Sequence, residues 1–272
     1  MQTDVLQVLE FFTILSRTIG YSGINTARAA LSALVTLPYG QTLSTHPLIN
    51  RFCKGVFQLK PPCPRYSSIW DVKIILDYLR RLSPAPKLSL RDLSMKTVVL
   101  MSLVSAQRQQ TLHMLNIQDM EVTPRSFTFK VKTLLKTSKP GHVGELLKFR
   151  AYPPDRRLCV HNYLQEYLRR TLTCRGKEQS LFISFQKPFK SVSKDTIARW
   201  IRSVMLCAGI DVELFKPHSV RSAAVSKANQ CAIPLDTILA HAGWRSERTF
   251  QRYYNKPIQR HDADFANAVL QG

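Results

Sequence analysis

Several features that would make this sequence easy to classify are missing. Its six cysteines, Cys53, Cys63, Cys159, Cys174, Cys207 and Cys231, form no CxxC pair. This leaves no zinc-ribbon or redox-dithiol spacing, and the scatter reads as reduced intracellular thiols. No apolar run reaches the roughly 20 residues needed to span a bilayer. The opening "MQTDVLQVLEFFTIL" has no basic n-region and no small-residue cleavage site, which argues against a secretory signal. There is no lipidation motif, internal repeat or low-complexity tract. Acidic residues are the scarcest relative to need: 18 Asp+Glu stand against 39 Lys+Arg, a formal charge of +21.

That charge is spread along the chain rather than held in a detachable tail, so a polyanion is the expected partner, nucleic acid first. An anionic membrane surface fits less well, since no long Lys-rich amphipathic helix is present. At 272 residues, with 44% hydrophobic side chains, the chain can bury a sizeable core and is not of the disordered class.

Periodicity gives mostly helices. "TDVLQVLEFFTILSRTI", "GINTARAALSALVTL" and "HPLINRFCKGVFQL" carry apolar residues at helical spacing before the break "KPPCPRYSS", whose three prolines mark a linker. Beyond it, "IWDVKIILDYLRRLS" and two stretches within "SLRDLSMKTVVLMSLVSAQRQQTLHMLN" read as helices, with Arg108 at the edge of a core. "SFTFKVKTLLK" and "LLKFRAYP" then alternate about a turn at "TSKPGHVGE", as in a β-hairpin or the outer strands of a small antiparallel sheet. Five more helical segments follow, ending with "SERTFQRYYNK". The expected fold is mainly α with a small antiparallel β-sheet (α+β). A helical domain over residues 1–60 and a linker over 61–67 precede a larger domain over 68–272.

Arg108, the pair His218 and Arg221 in "PHSVR", Trp244, and a tyrosine about ten residues later stand in a definite order. This order resembles the tyrosine recombinases, the phage-integrase-like enzymes that break and rejoin DNA. The phrases "LLKTSKPG", "YPPDRRLCV", "LFISFQKP", "VSKDTIARWI", "FKPHSVR" and "AGWRSERTFQRYYNKPI" resemble most closely the recombinases of DIRS-type and Ngaro-type retrotransposons. Taken singly, each residue has a structural reading: a solvated cap for Arg108, turn lysines, packing for Trp244. The ordered set is what carries the likeness.

The resemblance implies a tyrosine recombinase catalytic domain preceded by a small helical core-binding-like domain, here shorter than the family's. It also implies a set of roles. A tyrosine hydroxyl attacks phosphorus to form a 3′-phosphotyrosine, keeping the bond energy in a covalent ester. Charge grows on the non-bridging oxygens, and arginine answers it, because its planar fork stays cationic and pairs bidentately with phosphate. Arg108 and Arg221 would grip the phosphate, with His218 a further donor or proton shuttle. Trp244 would give an indole N–H but could accept no proton. Lys136 would protonate the leaving 5′ oxygen, with Lys139 as second choice. Tyr254 is the expected nucleophile and Tyr253 the alternative, expected to pack with Phe250; being consecutive on a helix, they point about 100° apart.

Lys187, Lys190, Arg199, Arg202, Arg245 and Arg248 are the expected DNA-backbone contacts, with solubility the plainer reading. The cationic clamp makes a metal or other cofactor unnecessary. Double-stranded DNA is the implied partner, with a homotetramer on DNA, a monomer or weak dimer when free, no membrane, and an intracellular, nuclear location. Thr111 stands where many members carry an acid, removing a partner for the Arg108 region. A truncated or repurposed copy that binds DNA without cleaving it is the competing function, and an RNA-binding basic protein the more remote one.

Overall fold

The computed structural model describes residues 3–62, 66–132, 146–244 and 247–259, apart from the side chains of Tyr39 and Thr249. The chain divides into two compact units, residues 1–65 and 66–272. No helix among the described residues is long and apolar enough to cross a membrane.

The first unit is three helices, α1 (Val5–Thr18), α2 (Tyr21–Ser32) and α3 (Pro47–Leu59). Val8 and Phe12 on α1, and Ile49, Cys53 and Val56 on α3, fall at the i, i+4, i+7 spacing that puts side chains on one face, and they are buried together with Ile24. His46 caps α3, its Nδ1 accepting from the Leu48 amide, and Pro47 occupies the first turn, where its missing N–H costs nothing. Lys60 Nζ donates to the Ser16 and Arg17 carbonyls at the end of α1.

The second unit is built around α5 (Leu90–Ser105), which follows α4 (Val72–Arg81). Twelve of its residues, from Leu93 to Ser105, are buried, so this helix is covered on nearly every side. It packs against α7 (Val160–Thr171), α8 (Lys194–Cys207), α9 (Ser219–Gln230) and the strand Leu146–Arg150. Ser89 starts α5 with a reciprocal cap: its hydroxyl accepts the Asp92 amide and donates to the Asp92 carboxylate. Strands β1 (Met120–Thr123), β2 (Ser126–Lys130) and β3 (Leu146–Arg150) form an antiparallel sheet in that order. Phe127 and Phe149 pair across β2 and β3, as do Phe129 and Leu147, which turns their shared face into the core. The expected hairpin is thus the β2–β3 pair of a three-stranded sheet. Its connection, with Lys136 and Lys139, lies outside the described residues.

Three shorter helices complete the unit: α6 (Gln109–His113), α10 (Leu235–Ala242) and α11 (Glu247–Tyr253). Its start pairs with the segment just past α11, since the Ile69 amide donates to the Pro257 carbonyl (2.9 Å) and the Gln259 amide to the Ile69 carbonyl (2.7 Å). Beside this contact, the buried Trp70 indole donates to Ser219 Oγ (2.9 Å), fixing the first residue of α9.

Lys96, in the middle of α5, is fully buried. Its Nζ donates to the Leu79 and Leu82 carbonyls at the end of α4 (2.6 Å each) and lies 3.7 Å from the centre of the Tyr163 ring. Burial nevertheless dominates and pulls its pKa down from 10.5 to about 7. The unfolded chain therefore binds the extra proton between those values. The stability gained is fully present above 10.5 and is lost as the pH falls to about 7. In urea titrations across this window, the difference in unfolding free energy between the native chain and Lys96→Met is expected to grow with pH. A difference that stays flat contradicts the assignment.

Candidate active site at the junction of α9, α10 and α11

Two of the turns that shape the site carry a positive φ. At the end of α5, Ala106 takes the left-handed conformation (φ 49°), which costs a residue with a Cβ about 1–2 kcal/mol. The chain turns there, and Arg108 becomes the N-cap of α6. At the end of α10, Gly243 (φ 65°) makes the same kind of turn without the penalty. The Trp244 amide bonds back to the Leu239 carbonyl (2.9 Å), closing a Schellman-type end. A small core of Ala106, Val225, Ile238, Ala242, Trp244 and Phe250 holds these turns together, with Tyr254 packed at its edge.

Arg221 lies at the centre, 2% exposed. One terminal nitrogen donates to the Ala242 carbonyl (2.6 Å), an oxygen left open at the C-terminal end of α10. Its guanidinium carbon sits 4.4 Å from the centre of the Trp244 ring and 5.4 Å from that of Tyr254. The two rings are themselves 4.3 Å apart. His218, exposed at the start of α9, places Nε2 3.2 Å from the Tyr254 hydroxyl. Four of the residues expected from the sequence therefore meet in one place: a buried cation, an aromatic wall, an imidazole at the rim, and a half-buried phenol between them.

Two side chains of the expected set have open donors among the described residues. The buried Trp244 Nε1–H has no hydrogen-bond acceptor among the described residues. The partly buried Arg108 side chain has neither hydrogen bond nor ion pair among them. Buried donors are rarely left open without a reason, and an anionic ligand would satisfy both. The Arg108 segment is docked from the side: Gln107 Nε2 donates to the His241 carbonyl (3.0 Å), and His241 Nε2 lies 2.8 Å from the Val104 carbonyl. Thr111, 2% exposed, keeps its hydroxyl 3.4 Å from Gln107 Oε1.

The remaining expected residues are more dispersed. Tyr253 does not pack with Phe250: it is 46% exposed, beneath the Arg252 guanidinium, whereas Phe250 is fully buried. Helical spacing allows Phe250 to meet either Tyr253 at i, i+3 or Tyr254 at i, i+4, and it is Tyr254 that packs on the small core holding Phe250. Lys190 and Arg199 line a cavity of about 470 Å³ with Arg91, Ser193 and Thr196. Lys190 also pairs with Glu178 (3.5 Å), and Arg199 donates to Thr196 Oγ1 (2.8 Å). Arg202 is paired with Glu213 (2.5 Å), while Lys187 and Arg248 are exposed. Lys136, Lys139 and Arg245 lie outside the described residues.

The profile of the phage integrase family matches residues 71–260. The chain belongs to the phage integrase family. No curated protein is similar enough in sequence to count as a match. Among solved structures, the XerH site-specific recombinase bound to palindromic difH substrate has a TM-score of 0.61 at 11% identity, over 99% of this chain and 72% of that one. XerA recombinase gives 0.52 at 18%, over 96% and 88%. The Tn1549 transposon integrase in complex with circular intermediate DNA gives 0.56 at 12%, over 98% and 85%. At such identities the likeness of this integrase-family chain to them is one of fold: a mostly helical unit with a small antiparallel sheet.

Sequence reasoning missed the polar residues that hold the site, Gln107, His241, Ser222 and Ser226. The two serines had a signal, since mid-helix serines at i, i+4 continue the face that begins at His218. Arg221→Lys keeps the charge but not the planar fork that reaches the Ala242 carbonyl while lying against Trp244. It is expected to lower stability by about 1–2 kcal/mol, the cost of leaving a buried acceptor unmet. A urea unfolding midpoint unchanged from the native chain contradicts this.

Proposed function

We propose that the chain is a DNA strand transferase that cuts and rejoins DNA through a 3′-phosphotyrosine at Tyr254. One observation carries the reading: the Tyr254 hydroxyl lies 3.2 Å from His218 Nε2, while its ring borders the Arg221 guanidinium. Tyr254 Oη attacks phosphorus, the bond to the 5′ oxygen breaks, and the phenol proton passes to a neutral His218. Arg221 and Arg108 take the charge that builds on the non-bridging oxygens, and the open Trp244 N–H donates to one of them. Lys136 supplies the proton to the leaving 5′ oxygen, and no metal ion is needed. Attack by a 5′ hydroxyl of a second strand reverses the step and completes the joining.

Support comes from family membership over residues 71–260 and from fold-level likeness to recombinases solved on DNA. The net charge of +21 suits a duplex partner. Lys187, Lys190, Arg199, Arg202, Arg245 and Arg248 serve as backbone contacts in this reading. The assembly on DNA is a homotetramer, and the sequence resemblance points to DIRS- or Ngaro-type retroelements, with insertion of circular element DNA in a nucleus.

The test is to incubate the full chain with a pool of nicked duplex oligonucleotides of randomised sequence and look for adducts that survive SDS. Tyr254→Phe is expected to abolish them and Tyr253→Phe to leave them. The reverse pattern overturns the assignment. Salt-dependent binding with no adduct from the native chain would make this a DNA-binding protein instead.

A further inference from the structure

The backbone at Tyr254 is gripped from α9 by two hydroxyls. Ser222 Oγ donates to the Tyr254 carbonyl at 3.1 Å, and Ser226 Oγ donates to the same oxygen at 2.8 Å. Ser226 Oγ also accepts the Lys256 amide at 3.1 Å, so one side chain holds the strand on both sides of Asn255. Both serines are buried, 4% and 3% exposed. A serine inside a helix ordinarily donates back to its own i−4 carbonyl; these two reach across to another segment instead. The oxygen they share lies just past the end of α11, where carbonyls have no helical partner.

We infer that Ser222 and Ser226 are positioning residues that set which tyrosine presents its hydroxyl to the phosphate, and where. This rests on the reading of Tyr254 as nucleophile. His218, Ser222 and Ser226 follow one another at i, i+4, i+8 on α9, and Arg221 projects from its first turn. A single rigid helix thus holds the Tyr254 hydroxyl through His218, borders its ring with Arg221, and fixes its backbone through the serines. Pinning the carbonyl fixes the direction of the Cα–Cβ bond, and the hydroxyl lies at the far end of a long side chain. A small tilt at the backbone therefore becomes a displacement of about 1 Å at the oxygen, and misplacement on that scale can cost about a hundredfold in rate. Tyr253, one residue earlier and about 100° round the helix, faces solvent in this arrangement. The strand beyond is held separately by the pairing of Ile69 with residues 257–259, so loss of the hydroxyls leaves it attached.

The full chain carrying Ser222→Ala and Ser226→Ala together is compared with the native chain on the same nicked-duplex pool. Adduct formation at saturating DNA, measured well below the thermal midpoint of either protein, is expected to slow about tenfold to a hundredfold, with DNA affinity little changed. Ser222→Thr with Ser226→Thr, which keeps both hydroxyls, is expected to recover most of the rate. An unchanged rate in the alanine variant overturns the inference, as does a loss of DNA affinity in proportion to the loss of rate. Adducts mapping to Tyr253 in the native chain overturn both this inference and the reading beneath it. If the native chain forms no adduct, that reading fails alone. Amide exchange over residues 250–256 then decides the grip: faster exchange in the alanine variant supports it, and equal exchange removes it.

Discussion

The hydrogen bond from Arg221 to the Ala242 carbonyl organises everything around it. A guanidinium that is 2% exposed must be repaid for the water it has lost. Here a helix C-terminus supplies the acceptor, at the end of α10 where the dipole is negative. The flat face of the same group then lies against Trp244 and beside Tyr254. One buried cation therefore fixes the end of α10, the turn at Gly243 and the edge of the small core that carries α11. Its position on the first turn of α9 puts it next to His218, whose ring reaches the Tyr254 hydroxyl.

Around this centre, the larger unit acts as a frame. The buried α5 runs through the core and ends in the left-handed turn at Ala106, two residues before Arg108. Trp70 pins the first residue of α9, and the pairing of Ile69 with residues 257–259 anchors the strand just past Tyr254. Gln107 and His241 lock the Arg108 segment to α10. Arg108, His218, Arg221 and Tyr254 are thus carried by elements fixed elsewhere, the arrangement a preorganised site requires. Among the described residues, the Trp244 indole N–H and the Arg108 side chain stay open to a ligand.

The helices were legible because their apolar residues recur at 3.6 spacing, and the Pro-rich break was legible because proline interrupts that pattern. Strand β1 was not: it has four residues, none buried, so no alternation marks it, and only its register with β2 makes it a strand. Lys96 was not legible either, since a charged residue in an apolar run gives no sign that carbonyls from α4 await it. In the site, the spacing of His218, Arg221 and Trp244 could be read from the sequence, but the packing direction of the tyrosine pair was misjudged. Phe250 stands at i, i+3 from Tyr253 and at i, i+4 from Tyr254, so spacing alone does not separate them; the small core around Trp244 does. The i, i+4 serines mark a face of α9, but their grip depends on residues 28 and 32 positions apart meeting in space, a partner that no local pattern names.

The central claim is that these groups converge on one phosphate with Tyr254 as the attacking residue. The most direct measurement is a structure of the full chain on a nicked duplex with orthovanadate, which takes the five-coordinate geometry of the reacting phosphorus. Vanadium is expected bonded to Tyr254 Oη, with Arg108, Arg221 and the Trp244 N–H each within hydrogen-bond distance of its oxygens. Vanadium bonded to Tyr253, or bound away from Arg221, would contradict the claim.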